Sequence, residues 1–331
     1  MNFFQKYSKF TTPALGLALA MGFTACSDED DPIPTPPAAE SNIVEIAADT
    51  PDFSTLVTAV ETAGLVETLS SDGPFTVFAP TNAAFEAFLE ENNLTADALL
   101  GMEGLGDVLT YHVLAGEAMA ANLEAGRLNT VADAPIFVSI AENGNVWING
   151  NTRVVQTDID ASNGVIHVLD FVLMPPSENI AEMVIAATEA ETPEFTQLLA
   201  ALQRADLAGA FMGGFEDDFT VFAPTDAAFM ALYEALEVDG IEDIDVETLT
   251  AVLQLHVIGN TRAFSQDLRD GMEVATLGGA EITVDLTAMT VGGAPLNSDS
   301  LNMLATNGVI HVIDAVILPE MAEEEDDDME G

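Results

Sequence analysis

The residues of this chain that could carry metal or proton-transfer chemistry are its four histidines. They form two pairs, His112 with His256 and His167 with His311, and each pair is separated by 144 residues. Imidazole binds metals and exchanges protons near neutral pH. However, the sequence contains no His-Glu-x-x-His motif, no Cys-x-x-Cys motif and no Gly-x-Ser-x-Gly motif of the hydrolases. We therefore predict that the protein is not an enzyme and uses no metal or cofactor.

The second histidine pair has a structural interpretation. His167 and His311 each follow an isoleucine and precede a valine within a six-residue sequence that occurs twice, Asn163–Val168 and Asn307–Val312. Alternation along a strand places the imidazole on the face opposite these apolar neighbours. A metal or proton-transfer site would need further ligands, and no second histidine lies nearby in the sequence. We expect each ring to be half-buried and bonded to a backbone carbonyl.

One acidic segment resembles the start of an EF-hand calcium loop. It runs from Asp158 to Gly164, but its glycine stands at loop position 7 instead of 6, and Leu169 occupies position 12. The EF-hand needs glycine at the sixth position and glutamate at the twelfth. We expect only weak, non-specific cation binding along the acidic surface.

The charge balance excludes one class of partner. The chain has 56 aspartates and glutamates against 7 lysines and arginines, a formal net charge of −49 at pH 7. Such a surface repels nucleic acids and anionic lipid headgroups, so we predict no nucleic-acid partner. The acidity has two explanations: adaptation to high salt, where counterions screen the self-repulsion, or compositional drift in a very soluble exported protein.

Residues 1–25 are predicted to be an export signal. Lys6 and Lys9 precede an apolar stretch, residues 14–23, that is short for a membrane span. Cys26 is the only cysteine and follows small residues, as in bacterial lipoproteins. We expect lipid on Cys26 to tether the protein to a membrane. An ordinary secretory signal with an incidental thiol is the alternative.

The segment after the cysteine predicts where the anchor faces. The run Ser27–Asp31 resembles the acidic export tag of Bacteroidetes surface lipoproteins. That resemblance implies an outer-membrane lipoprotein that faces outward. Residues 26–42, acidic and then rich in proline, would form an extended spacer. Residues 320–331 form a like-charge tail that should be disordered.

The same motifs occur twice at one separation, which indicates two copies of one domain. Phe75–Thr81 is repeated letter for letter 144 residues later as Phe219–Thr225, the separation that also relates Asn163–Val168 to Asn307–Val312. This period is far longer than the 20–50 residues of a solenoid repeat. We place the first domain at 43–175 and the second at 180–319, joined by a short linker.

Within each copy, predicted helices precede predicted strands. Apolar residues recur at helical spacing from Phe53 and again from Phe195, and Thr81 and Thr225 are suited to cap the helices that follow the repeated strand. A further helix is predicted at 105–111. Predicted strands of the first copy, separated by Asn-Gly turns, are 75–78, 136–140, 146–148, 154–157 and 165–172. This order favours an α+β fold.

The ordered motifs resemble a known family. Phe-Thr-Val-Phe-Ala-Pro-Thr, Ala-Ala-Phe, Tyr-His-Val and Asn-Gly-Val-Ile-His-Val are similar to those of the fasciclin domain, an adhesion module. The resemblance implies two tandem β-wedge domains, each a short-stranded sheet with helices packed on one side. It also implies non-catalytic binding to extracellular-matrix protein, polysaccharide or other cells. The alternative is a periplasmic or envelope protein with a structural role and no external ligand.

The resemblance further indicates candidate ligand-binding residues. In animal relatives a tyrosine–histidine pair and a later Asp-Ile are linked with integrin binding. The matching residues of the first copy are Tyr111, His112, Asp158 and Ile159. The second copy has Leu255 in place of the tyrosine and Asn302-Met303 in place of Asp-Ile, so we expect recognition on the first copy. A bacterium has no integrin, so that ligand does not carry over, and Tyr111 and His112 could instead be packing residues.

Overall fold

The computed structural model describes residues 40–319. The predicted signal at 1–25, the lipidation site Cys26, most of the spacer at 26–42 and the acidic tail at 320–331 lie outside the described residues.

The first domain places its helices early and most of its strands late. Its helices are α1 (Ile43–Asp49), α2 (Ser54–Thr62), α3 (Val66–Leu69), α4 (Asn82–Glu91), α5 (Ala96–Leu100) and α6 (Leu105–Tyr111). Its strands are β1 (Phe75–Pro80), β2 (Val113–Ala115), β3 (Gly126–Asn129), β4 (Pro135–Ile140), β5 (Val146–Ile148), β6 (Thr152–Ala161) and β7 (Gly164–Leu169). They form one sheet in the order β2-β1-β7-β6-β5-β4-β3.

The second domain repeats this order with a divided sheet. Its helices are α7 (Ile180–Thr188), α8 (Thr196–Arg204), α9 (Asp226–Leu236) and α10 (Val246–Leu255). Its strands are β8 (Phe219–Pro224), β9 (Val257–Gly259), β10 (Glu273–Ala275), β11 (Glu281–Asp285), β12 (Thr290–Val291), β13 (Ala294–Pro295), β14 (Met303–Ala305) and β15 (Gly308–Ile313). The two sheets are β14-β15-β8-β9 and β10-β11-β12-β13.

The division has a local cause in the sequence. In the first domain β6 runs unbroken through Val154 and Val155, which are β-branched and favour strand. In the second domain Leu296 faces Ile313 as Val154 faces Leu169, but the chain then makes a 3-10 turn at Ser298–Ser300, where the side chain of Asn297 accepts a hydrogen bond from the Asp299 amide. Serine, asparagine and aspartate compete with the strand ladder through such local bonds. The strand therefore breaks into β13 and β14.

The repeated Asn-Gly motif connects helices to sheet. The amide of Asn163 accepts from the Ile43 N–H at the start of α1, at 3.0 Å, and donates to the Leu69 carbonyl at the end of α3, at 2.8 Å. Gly164 then pairs with Phe75 across the parallel β1–β7 ladder, and an added Cβ there would collide with the Phe75 carbonyl oxygen. Asn307 makes the same two connections in the second domain.

The core of the first domain has two layers. Helices α1 to α6 pack on one face of the β1–β7 pair, against residues such as Val77 and Ile166. Strands β4 and β5 fold over the other face and enclose Phe78 and Leu169. This arrangement confirms the predicted α+β wedge with helices on one side of the sheet.

Several predicted elements are observed with shifted bounds. The caps at Thr81 and Thr225 are confirmed, since their hydroxyls accept from Ala84 N and Ala228 N at 3.2 and 3.1 Å. The last strand, β7, ends at Leu169 rather than residue 172, where the Asp170 carboxylate accepts from the Arg153 N–H. Helix α8 begins after Phe195, whose backbone is left-handed at φ 61°.

No helix between residues 40 and 319 combines the length and the apolar composition that a membrane span requires.

Candidate functional site

Tyr111 lies inside the wedge of the first domain. Its side chain is fully buried, and its hydroxyl donates to the Pro135 carbonyl at 2.9 Å and accepts from the Asn149 amide at 3.0 Å. Burial raises the pKa of the Tyr111 hydroxyl well above its usual value. With its polar atom satisfied from within, the side chain presents no group to solvent. The geometry supports the packing interpretation of this residue.

His112 and His256 fasten the end of a helix to the chain that follows the last strand. In His112, Nδ1 donates to the Val108 carbonyl at 2.7 Å and Nε2 accepts from the Leu173 N–H at 3.0 Å. His256 makes the same two bonds, to Val252 and Ile317, at 2.8 and 2.9 Å. Burial lowers the pKa of both rings to about 4. Each ring is neutral at pH 7 and has both nitrogens occupied.

Asp158 is held by the second histidine of its domain. Its backbone is left-handed at φ 59°, and its N–H donates to Nδ1 of His167 at 3.3 Å. Its carboxylate accepts from the Ala120 N–H at 2.8 Å, while His167 Nε2 donates to the Ala118 carbonyl at 2.8 Å. Thus His167 is fully buried, rather than half-buried as predicted, and its carbonyl partner is as predicted.

The side chains of Asp158 and Ile159 remain partly accessible. Both are half-buried, and Ile159 packs against the helical core of the first domain. The carboxylate keeps one oxygen beyond its bond to Ala120. Both residues lie on β6, an inner strand of the sheet. We call Asp158 and Ile159 the exposed edge because they are the accessible members of the candidate set. Of the four candidate residues, only this pair has surface that a partner could contact.

The equivalent position of the second domain is covered. Asn302 also has a left-handed backbone, at φ 57°, and donates its N–H to Nδ1 of His311 at 3.3 Å. Its side chain donates to the Gly150 carbonyl of the first domain at 3.0 Å, and only 4% of the residue is exposed. Burial lowers the pKa of His311 to about 4. The two copies of the edge are therefore not equivalent.

The contact that covers Asn302 includes a tight approach at Gly150. Gly150 has φ 74°, and a Cβ added there would lie 2.5 Å from the Phe264 ring and 2.8 Å from Asn302 Cγ. Gln266 donates to the same Gly150 carbonyl at 2.8 Å. Only glycine fits this position, because both the backbone conformation and the space exclude a side chain.

An aromatic ring and a buried arginine form the centre of the contact between domains. Phe137 of β4 clusters with Phe264 and Val309 of the second domain. The guanidinium of Arg262 lies 4.1 Å from the centroid of the Phe137 ring. Arg262 also pairs with Asp218 at 3.1 Å and donates to carbonyl oxygens of its own domain, including Ala305 at 3.0 Å. Burial lowers its pKa to about 10.

Polar bonds surround this centre. The hydroxyl of Ser139 donates to the Asp267 carboxylate at 3.0 Å, and burial raises the pKa of that carboxyl. Arg269 donates to the Ile140 carbonyl at 3.2 Å, and Arg127 donates to the Phe215 carbonyl. Three of the five arginines of the chain thus bind across or beside the domain contact, although no motif in the sequence marks them. Their scarcity in a chain so rich in acids was the available signal.

Among residues 40–319, no group of three or more histidine, cysteine, aspartate or glutamate side chains is arranged to hold a metal ion.

Comparison with known proteins identifies the family to which this architecture belongs. The model of the fasciclin domain matches residues 51–175 and again residues 193–319, which is most of the chain. The protein belongs to the fasciclin family. The two histidine pairs are thus features of both fasciclin domains, whereas the buried Tyr111 belongs to the first domain alone.

Relatives come from bacteria and animals. The chain is 42% identical over 174 residues to protein sll1483 of Synechocystis, a match that covers 50% of this chain and 94% of the relative. It is 30% identical over 271 residues to human periostin, covering 78% of this chain and 30% of periostin. A solved fasciclin domain pair from the insect cell adhesion molecule fasciclin I matches at TM-score 0.38 and 18% identity, covering 80% of this chain and 96% of that structure.

Proposed function

We propose that this protein is a non-catalytic adhesion lipoprotein that binds a matrix protein or polysaccharide through the exposed edge of its first domain. Fasciclin domains are linked to cell-adhesion and extracellular-matrix proteins. The observation that carries the proposal is the difference between equivalent positions. Asp158 is half-buried and keeps a free carboxylate oxygen, whereas Asn302 is buried under the neighbouring domain.

His167 and Ala120 hold this edge from within, since the Asp158 N–H donates to His167 Nδ1 and the Asp158 carboxylate accepts from the Ala120 N–H. His167 is itself fully buried and bonded to the Ala118 carbonyl, so the backbone at Asp158 is fixed against the core of the domain. The edge is therefore presented on a rigid scaffold, which reduces the entropy lost on binding. In this proposal the second domain packs against the first domain and does not provide a second, equivalent ligand site.

The charge of the protein narrows the partner. With a net charge of −49, it repels acidic polysaccharides at low and moderate salt. A neutral glycan or a basic segment of a matrix protein is the favoured ligand. Binding of a basic segment should weaken as salt is raised, whereas binding of a neutral glycan should not.

The test replaces the two residues of the exposed edge by the residues that the second domain has at the equivalent positions. Asp158→Asn with Ile159→Met installs the residues of the second domain, and asparagine keeps both the left-handed backbone and the acceptor for Ala120. We expect an array of neutral glycans and basic matrix proteins to lose its hits with this variant. Asp160→Asn, an exposed change of the same charge on the same strand, is the control. Unchanged binding by the double variant would reject the exposed edge as the site.

Anchoring is tested separately. Cys26→Ser should release the protein from the membrane fraction, and continued membrane fractionation would exclude lipidation at this residue. Protease treatment of intact cells should remove the wild-type protein if it faces outward. Full protection would favour the alternative, a periplasmic or envelope protein with a structural role.

A further inference from the structure

The first domain contains an apolar cavity that adhesion does not explain. It has a volume of about 100 Å³ and lies between α1, α2 and α3 and the helical face of the sheet. Ala47, Leu56 and Val60 of the helices and Val77 and Ile166 of the strands are among its walls. Apolar cavities of roughly this size bind small apolar molecules such as benzene.

The two polar residues of the lining do not change this character. His112 has both ring nitrogens bonded, to Val108 and to Leu173, so it offers the cavity no free polar atom. Glu61 is exposed, and it therefore stands at the mouth. The walls of the cavity are therefore mainly apolar.

The second domain carries larger side chains at three buried positions of this lining. Asn163 bonds to Ile43 and Leu69 as Asn307 bonds to Ile180 and Phe211, which aligns the helices of the two domains. By this alignment the buried lining residues Ala47, Val60 and Leu69 correspond to Val184, Leu202 and Phe211. Phe211 is buried and packs edge-on against Phe219 at 5.6 Å. The cavity is thus not a general consequence of the fold.

The acidic residues at the mouth of the cavity indicate the charge of a ligand's polar head group. Glu61 lines the opening, and Glu67 is exposed beside the lining residue Val66. The two arginines of the first domain are engaged elsewhere: Arg127 bonds to the Phe215 carbonyl and Arg153 pairs with Asp170. A carboxylate or phosphate head would meet acidic residues with no basic partner, which disfavours fatty acids and anionic lipids.

We propose that this cavity binds the alkyl end of an amphiphile whose head is cationic. The narrow apolar space receives the terminal carbons of an unbranched chain, and the head remains at the mouth beside Glu61. The site lies in the first domain alone, and it does not depend on the adhesion proposed above.

The experiment uses the full chain and a series of n-alkyltrimethylammonium ions of increasing length, measured by titration calorimetry below micelle formation. Affinity should rise about fourfold for each added methylene until the chain reaches the mouth. Tetramethylammonium, which has no tail, measures non-specific attraction to the acidic surface. Octanoate should bind at least about tenfold more weakly than octyltrimethylammonium at low salt, and this difference should shrink as salt is raised.

Two kinds of variant locate the site. Val60→Leu with Leu69→Phe installs the residues of the second domain, and Ala47→Val is a milder filling change if the double variant does not fold. Each should abolish the dependence on chain length without lowering the unfolding temperature. Leu232→Phe is the control, since it narrows a separate groove of about 230 Å³ between α9 and α10. The proposal is overturned if affinity is independent of chain length, if the filled variants bind normally, or if only Leu232→Phe loses binding.

Discussion

Removal of one aromatic ring tests whether the two fasciclin domains unfold as a unit. Phe137 is 5% exposed, clusters with Phe264 and Val309, and lies under the Arg262 guanidinium at 4.1 Å. All three of these neighbours belong to the second domain. Phe137→Ala therefore weakens the contact between domains more than the core of either one.

The expected cost follows from the burial of the ring. Truncation of a buried phenylalanine costs about 3–5 kcal/mol, which includes the cavity that remains. Loss of the desolvated cation–π contact contributes about 1–2 kcal/mol within that range. Arg262 is not left unpaired, because Asp218 and the Ala305 carbonyl still bind it. We expect the variant to lose about 4 kcal/mol of stabilisation and the midpoint of its first transition to lie about 8 °C below the wild-type midpoint.

Differential scanning calorimetry measures both the shift and the cooperativity. We expect one transition for the wild type, because the domains share a packed contact, and two separated transitions for Phe137→Ala. Phe137→Leu keeps most of the apolar burial but loses the cation–π contact, and it should cost about 2–3 kcal/mol. Arg153→Gln removes an exposed ion pair with Asp170, 44% and 38% exposed, and should cost less than about 1 kcal/mol.

Two results would show that Phe137 does not couple the domains. One is a midpoint for Phe137→Ala no lower than that of Arg153→Gln, which would show that the ring contributes nothing to stability. The other is a pair of separate transitions already present in the wild type, which would show that the domains unfold independently despite the contact.

Three further predictions concern glycine, protons and salt. Gly150→Ala should cost at least about 2 kcal/mol more than Gly144→Ala, since both glycines have positive φ but only Gly150 would meet Phe264 and Asn302; equal denaturant midpoints would contradict this. Because burial lowers the pKa of His256 to about 4 while the unfolded value is about 6.5, stability is complete above pH 6.5 and falls toward pH 4. Each buried histidine of this kind should lower the free energy of unfolding by about 2 kcal/mol between pH 7 and pH 5. His256→Gln should therefore reduce the dependence of that free energy on pH. An unchanged dependence would refute the conclusion that His256 is buried in its neutral form. The unfolding midpoint should rise with salt through the molar range as counterions screen the charge of −49, whereas a flat midpoint would remove the argument for salt adaptation.

Most of the fold could be predicted from the repeated motifs, because each motif makes the same contact in both domains. Phe75–Pro80 and Gly164–Leu169 pair in parallel, and Phe219–Pro224 pairs with Gly308–Ile313 in the same register. The spacing of apolar residues, the threonine caps and the Asn-Gly turns are local signals, so they were readable in order along the chain. The ends of strands are harder to predict from the sequence. The end of β7, for example, depends on a hydrogen bond between Asp170 and Arg153 on the neighbouring strand.

The candidate site was only partly readable from the sequence. The sequence shows Tyr111 and His112 as a pair, but whether these residues face solvent depends on Pro135, Asn149 and Leu173, which lie far along the chain. The contrast between Asp158-Ile159 and Asn302-Met303 was visible as a difference in letters. Its meaning was not, since the partner of Asn302 is a carbonyl of the other domain.

The sequence by itself determined the family, the two copies, the order of elements and the acidic surface. The tertiary structure alone decided which copy of the edge is accessible, where the cavity lies and why Gly150, Phe137 and Arg262 matter. A contact made by both copies appears twice in the chain at a fixed spacing. A contact made once, between the copies, has no counterpart to reveal it, and it becomes visible only when the two surfaces are packed together.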